Sequence, residues 1–91
     1  MRLLLINGPN LNLLGYREPD IYGNLTYEDL ISKLKTYANG IGVKLDCFQS
    51  NHEGEIIDCL QRSVGKYYAI ILNPGALAHY SYALRDAIQS I

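Results

Sequence analysis

The stretch Leu3-Leu4-Leu5-Ile6 running directly into Asn7-Gly8-Pro9-Asn10 decides the fold. Four consecutive apolar residues without alternation read as a strand buried on both faces. That requires a parallel sheet with helices on each side. The segment behind the strand stays polar and turn-rich from Asn7 to Leu25 before helical signals begin. About two to six residues usually suffice between a strand and a helix, and longer connections tend to be functional. Residues 7–25 therefore read as an active-site loop whose second half closes over a ligand. The rest of the chain reads as the scaffold that aims it.

Beyond the loop, Thr26 reads as a helix N-cap, with Asp29 completing a capping box and Leu25 and Leu30 placed as a hydrophobic staple. Leu30, Ile31, Leu34 and Ala38 share one helical face, and Asn39-Gly40 is the expected stop. Val43, Leu45 and Cys47 alternate with Lys44 and Asp46, the pattern of an edge strand with one solvated side. Ser50 and Glu53 predict a second capping box, ahead of an apolar face of Ile56, Ile57, Leu60 and Val64 that Gly65 ends. Tyr68 to Leu72 is again continuous and apolar, so a second central strand. Asn73-Pro74-Gly75-Ala76 is its exit turn. A last helix begins near Tyr80 or Ser81 and carries Ala83, Leu84, Ala87, Ile88 and Ile91 on one face. The order β-α-β-α-β-α gives an α/β doubly wound parallel sheet, in three αβα layers, with strand order 2-1-3. Right-handed crossovers then place all three strand-to-helix loops at the carboxyl ends of the strands, where such sheets bind ligands. Residues 7–25, 49–52 and 73–79 should meet there.

The 91 residues, 48% hydrophobic, suit one small domain, and no internal repeat or linker divides them. A net charge of −1 and no Lys/Arg block leave no electrostatic case for nucleic acid or an anionic membrane. No apolar run approaches the roughly 20 residues of a membrane span, and Leu3–Ile6 is too short for a signal-peptide core. Cys47 and Cys59 fit neither a CxxC nor a metal pattern and read as reduced, buried residues of a cytoplasmic protein.

Taken singly, the polar residues leave two readings open. Asn7 and Asn10 around Gly8-Pro9 suit a plain turn as well as a binding site. Arg17-Glu18-Pro19 suits a solvated loop, and Tyr22 an aromatic clamping a turn. His52 and His79 suit helix starts, and Asp86 beside Arg85 an exposed pair. Glycine-rich dinucleotide and Walker motifs, a nucleophile elbow and metal-ligand spacing are all missing. What remains is a tyrosine base. Its pKa near 10 must fall for it to ionise at neutral pH, and a close guanidinium does that. Arg17 and Tyr22, five residues apart, are placed to meet. Asparagine amides offer neutral donors for an enolate oxygen. The set suits proton abstraction next to a carbonyl.

Four ordered motifs then resemble one family across the whole chain. They are Asn7-Gly8-Pro9-Asn10-Leu11-Asn12-Leu13-Leu14-Gly15, Arg17-Glu18-Pro19-x-x-Tyr22-Gly23, Gln49-Ser50-Asn51-His52-Glu53-Gly54, and Leu72-Asn73-Pro74-Gly75-Ala76-x-x-His79-x-Ser81-x-Ala83-Leu84-Arg85-Asp86-Ala87. Together they resemble type II 3-dehydroquinate dehydratase. The resemblance implies a flavodoxin-like fold and an anti elimination of water from 3-dehydroquinate through an enolate, giving 3-dehydroshikimate, with no cofactor or metal. The setting it implies is the shikimate pathway, or quinate breakdown. By motif position Tyr22 is the base for the C2 proton, Arg17 promotes the phenolate, and Asn10 serves the enolate oxygen. Asn73 and His79 bind substrate hydroxyls. Asp86 reaches the site of a neighbouring subunit, because the family forms trimers that assemble into dodecamers. One departure is plain. The family's sheet has five strands, and the segment after the third carries a histidine acid for the departing hydroxyl, a serine-asparagine loop and an arginine. None of these matches a residue here. Residues 1–91 therefore read as the N-terminal part of such a domain, a partial chain with an exposed apolar third strand, poorly active and poorly soluble alone. Two alternatives stand beside the enzyme. One is a non-catalytic, truncated ligand-binding or assembly module. The other is a lysine Schiff-base dehydratase, disfavoured because Lys33, Lys35, Lys44 and Lys66 fall on predicted surfaces.

Overall fold

Strand β1 (Arg2–Asn7) lies between β2 (Lys44–Gln49) and β3 (Ala69–Asn73), giving a parallel sheet in the expected order 2-1-3. The structure, a computed structural model, describes residues 1–16 and 23–91. Helices α1 (Tyr27–Gly40), α2 (Glu53–Ser63) and α3 (Tyr82–Ser90) complete the order, with short 3-10 turns at Leu11–Leu13 and Gly75–His79. Leu5 pairs with Cys47 on one side and Ile71 on the other. Asn7 pairs with Gln49 and Asn73. The three strands thus end level, and their exit loops start at one height.

The non-alternating β1 is buried as its sequence requires, from Leu4 to Asn7. Leu4 and Ile6, two apart and so on one face, join Ile56 and Leu60 of α2 and Leu84 and Ala87 of α3 in the main core. Leu5 and, from α1, Ala38 are buried outside that cluster. Leu60 is 2% exposed. Leu60→Ala is expected to cost about 2–5 kcal/mol through lost transfer energy and the cavity it leaves. A urea denaturation curve showing less than about 1 kcal/mol would contradict this packing.

At the start of α1 the expected capping box is formed. The Asp29 N–H donates to Thr26 Oγ1 at 3.1 Å, and the Thr26 N–H to Asp29 Oδ2 at 3.2 Å. The stop is two residues later than expected. Gly40 stays helical, and Gly42 takes the left-handed conformation at φ 76°. The Val43 N–H then bonds the Ala38 carbonyl and the Gly42 N–H that of Asn39, the paired closure of a Schellman turn. The second expected capping box, Ser50 with Glu53, is not formed. The N-cap is His52, so Glu53 is the first helical residue and Glu55 holds the third position. The Ser50 hydroxyl therefore donates to Glu55 Oε2 at 2.6 Å, while Glu53 accepts from the Ser81 hydroxyl across to α3. Val64 lies beyond α2 and is exposed, not part of its buried face.

β2 is the edge strand expected, but Leu45 to Gln49 are all half-buried and do not alternate. Asp46, read as solvated, is covered because Tyr67 and Arg2 close over it. β3, read as central, is the other edge of the described sheet. Tyr68, just before it, and Ile71 within it are 77% and 52% exposed. The same flank leaves Ala83, Ile88 and Ile91 exposed, so only Leu84 and Ala87 of the expected α3 face are buried.

Toward the other edge of the sheet, a polar clasp links the start of β1, the first half of β2 and the segment just ahead of β3. The Tyr67 hydroxyl donates to Asp46 Oδ2 at 2.7 Å. The Arg2 guanidinium bonds the same oxygen at 2.7 and 2.9 Å and lies 5.0 Å over the Tyr67 ring. The Tyr67 hydrogen bond, then the Arg2 hydrogen bond, hold the Asp46 carboxyl below its usual range. A depressed carboxylate stabilises the fold above its unfolded pKa, near 4, and that contribution is lost as pH falls through the lower folded value. The urea midpoint is expected to fall below about pH 4, with a shallower fall in Asp46→Asn. Parallel pH curves for the two proteins would contradict this.

Candidate active site

The level strand ends bring together the three loops expected to meet. The Gly8 N–H donates to the Asn73 carbonyl at 2.8 Å, joining the first loop to the third. From β2, Gln49 Nε2 donates to the Gly8 carbonyl at 3.2 Å and to Asn51 Oδ1 at 3.2 Å. It also faces Asn12 Oδ1 at 3.5 Å. Asn51 Oδ1 accepts the Asn10 N–H at 2.9 Å, joining the first loop to the second. The junction is built from neutral amides, which suits a polar ligand with hydroxyl or carbonyl oxygens.

Asn10 lies at the mouth of this junction, exposed, with φ 71° and ψ −5°. It is the one non-glycine residue at positive φ among the described residues, a conformation asparagine tolerates better than most. Asn73 ends β3, and its Oδ1 accepts the Gly75 N–H at 3.4 Å. His79 ends the 3-10 turn after β3. With Tyr80, Tyr82 and Arg85 it lines a cleft of about 480 Å³ along the flank of α3; Asn10 and Asn51 do not line this cleft. Asp86 is exposed on α3, with no hydrogen bond to these loops among the described residues. Arg17 and Tyr22, the expected base pair, lie outside the described residues. Asn7 is 5% exposed, and its buried Nδ2 has no hydrogen-bond partner among the described residues. Such a group costs about 1–3 kcal/mol and stands at the carboxyl end of the central strand. Burial pushes the Tyr27 hydroxyl above the usual tyrosine range, while the nearby Asn7 amide works against the rise without a formed hydrogen bond.

Sequence reasoning gave no role to Gln49 or Asn51, although both stand in the third-quoted motif. Their signal was topological: a polar pair at the end of an edge strand that must finish level with Asn7. Lys33, Lys35, Lys44 and Lys66 are all exposed, so none offers the buried amine that a Schiff-base route needs. Both cysteines are free. Among the described residues no helix is long and apolar enough to cross a membrane, and no cluster of His, Cys, Asp or Glu could hold a metal ion.

A parallel sheet in the order 2-1-3, with its loops gathered at the carboxyl ends of the strands, is of the doubly wound, flavodoxin-like α/β class, whose members bind ligands at that edge. Within that class the family model described as Dehydroquinase class II matches residues 1–91, and the chain belongs to that family. It is 58% identical over 89 residues to a 3-dehydroquinate dehydratase of Halalkalibacterium halodurans, covering 98% of this chain and 61% of that relative. It is 52% identical over 91 residues to one from Thermotoga neapolitana, again covering 61% of it. The type II dehydroquinase structure from Butyrivibrio crossotus superposes with a TM-score of 0.93 at 50% identity, covering 99% of this chain and 63% of the other. The chain thus spans about three-fifths of the length of these relatives.

Proposed function

We propose that residues 1–91 form the base-bearing part of a type II dehydroquinase domain, which dehydrates 3-dehydroquinate to 3-dehydroshikimate. The observation that carries this reading is the family match over every residue of the chain. The junction of amide-bearing loops at the strand ends supports it. In this reading the Tyr22 phenolate, stabilised by the Arg17 guanidinium, takes the proton next to the substrate carbonyl. The electron pair moves to the carbonyl oxygen, where the Asn10 amide supports the enolate. Collapse of the enolate expels the β-hydroxyl as water once that hydroxyl gains a proton. Asn73 and His79 bind substrate hydroxyls. Asp86 serves the site of a neighbouring copy in a trimer-based assembly.

One observation favours a second reading, a binder of the same ligand that does not turn it over. The two histidines of these residues, His52 and His79, are both exposed at helix or turn ends, and neither stands in the motif of the family's acid. Turnover followed by the ultraviolet absorbance of the conjugated enone product tests the first reading. Affinity for 3-dehydroquinate with neither enone formation nor Tyr22-dependent exchange of solvent deuterium into the α-position would establish the second in its place.

A further inference from the structure

We propose that Gln49 and Asn51 are positioning residues that lock Asn10 in its left-handed conformation and so aim its side-chain amide at the ligand. The ligand part of this inference rests on the function proposed above. The backbone of Asn10 is held at its N–H by Asn51 Oδ1 at 2.9 Å. Two residues earlier, the Gly8 carbonyl is held by Gln49 Nε2 at 3.2 Å. The clamp therefore grips the chain on both sides of Pro9, whose ring already fixes its own φ. With φ of Asn10 set at 71° and its N–H pinned, the direction of its Cα–Cβ bond is fixed. An asparagine with a free backbone would move between the left-handed and the ordinary regions and carry its amide with it.

The chemistry of the clamp is one-directional. Position 51 must accept, because it meets the Asn10 N–H and the Gln49 Nε2 group through one oxygen. Position 49 must donate, because its nitrogen faces the oxygens of Gly8, Asn12 and Asn51. A carboxylate accepts and cannot donate when ionised. The same amide-to-carboxylate exchange therefore keeps the acceptor at 51 but removes the donor at 49, where it would set a negative oxygen against three others.

Three variants, Asn51→Asp, Asn51→Leu and Gln49→Glu, test this through amide hydrogen exchange read by NMR and 3-dehydroquinate affinity read by calorimetry. In Asn51→Leu and Gln49→Glu the Asn10 amide should exchange roughly tenfold faster or more, and the affinity should fall by about the same factor, the order of one lost hydrogen bond. Asn51→Asp, which keeps the acceptor, should match the unmutated chain in Asn10 exchange. Unchanged exchange at Leu5 and Ile6 in the core shows that the fold is intact. Asn10 exchange that is the same in Asn51→Leu as in the unmutated chain overturns the proposal, as does an Asn51→Asp protein whose Asn10 amide exchanges like that of Asn51→Leu. An unmutated chain that fails to bind 3-dehydroquinate overturns the substrate assignment instead, and the exchange pattern still decides whether the clamp exists.

Discussion

Tyr22→Phe is expected to lower turnover of 3-dehydroquinate by about 10²- to 10⁴-fold, the usual contribution of a positioned general base. Substrate affinity should change little, because the substitution removes one oxygen and keeps the ring. The reaction has two proton events, and they are separable. Removal of the proton next to the carbonyl needs only the base and the enolate donors, which this reading assigns to Tyr22, Arg17 and Asn10. Departure of the hydroxyl needs an acid, which neither His52 nor His79 is placed to supply. Exchange of solvent deuterium into the α-position of 3-dehydroquinate reports the first event alone. The unmutated chain should catalyse that exchange even where enone formation is slow, and Tyr22→Phe should abolish it. Arg17→Lys should retain part of it, because a lysine keeps the charge that favours the phenolate but loses the planar fork. Equal deuterium incorporation by the unmutated chain and Tyr22→Phe would remove the tyrosine from the mechanism.

The legible parts of the fold were those set by local chemistry. Leu3–Ile6 has no polar residue to offer solvent, so a central parallel strand was the only economical place for it. Thr26 and Asp29 satisfy each other's backbone within one turn and needed nothing from elsewhere. The misread parts depended on contacts remote in sequence. Ser50-x-x-Glu53 has the spacing of a capping box, but the helix starts at Glu53, and its carboxylate is claimed by Ser81, 28 residues on. Asp46 looked solvated because the alternation of β2 says so; Arg2 of β1 and Tyr67, just ahead of β3, cover it. At the site, the sequence told which loops converge and that asparagines dominate them. It did not tell that Gln49 and Asn51 hold Asn10, because a hydrogen bond between residues 10 and 51 exists only once the sheet has set its register.

Gly8→Ala should be strongly destabilising, and it links that register to the site. A Cβ at residue 8 would lie 2.5 Å from the Pro74 carbonyl oxygen, 2.7 Å from its carbon and 3.2 Å from the Asn73 oxygen. All three are backbone atoms, so no rotamer change relieves the contact and the two loops must separate. Overpacking costs about 1–3 kcal/mol, occasionally more, and a clash against fixed backbone belongs at the upper end. For a domain of this size about 3 kcal/mol corresponds to a fall in Tm of roughly 12–24 °C. Separation would also break the 2.8 Å bond from the Gly8 N–H to the Asn73 carbonyl. It would draw the Gly8 carbonyl off Gln49 as well, so ligand affinity should fall along with stability. Gly54→Ala is the matched control. That glycine is helical and exposed, with nothing within 4 Å of its added methyl, and alanine there should be neutral or stabilising by about 0.5–1 kcal/mol. Opposite signs in the two melting curves are expected. A Gly8→Ala protein melting within a few degrees of the unmutated chain would mean that the first and third loops do not approach as described, and the amide junction built on their contact would fall with it.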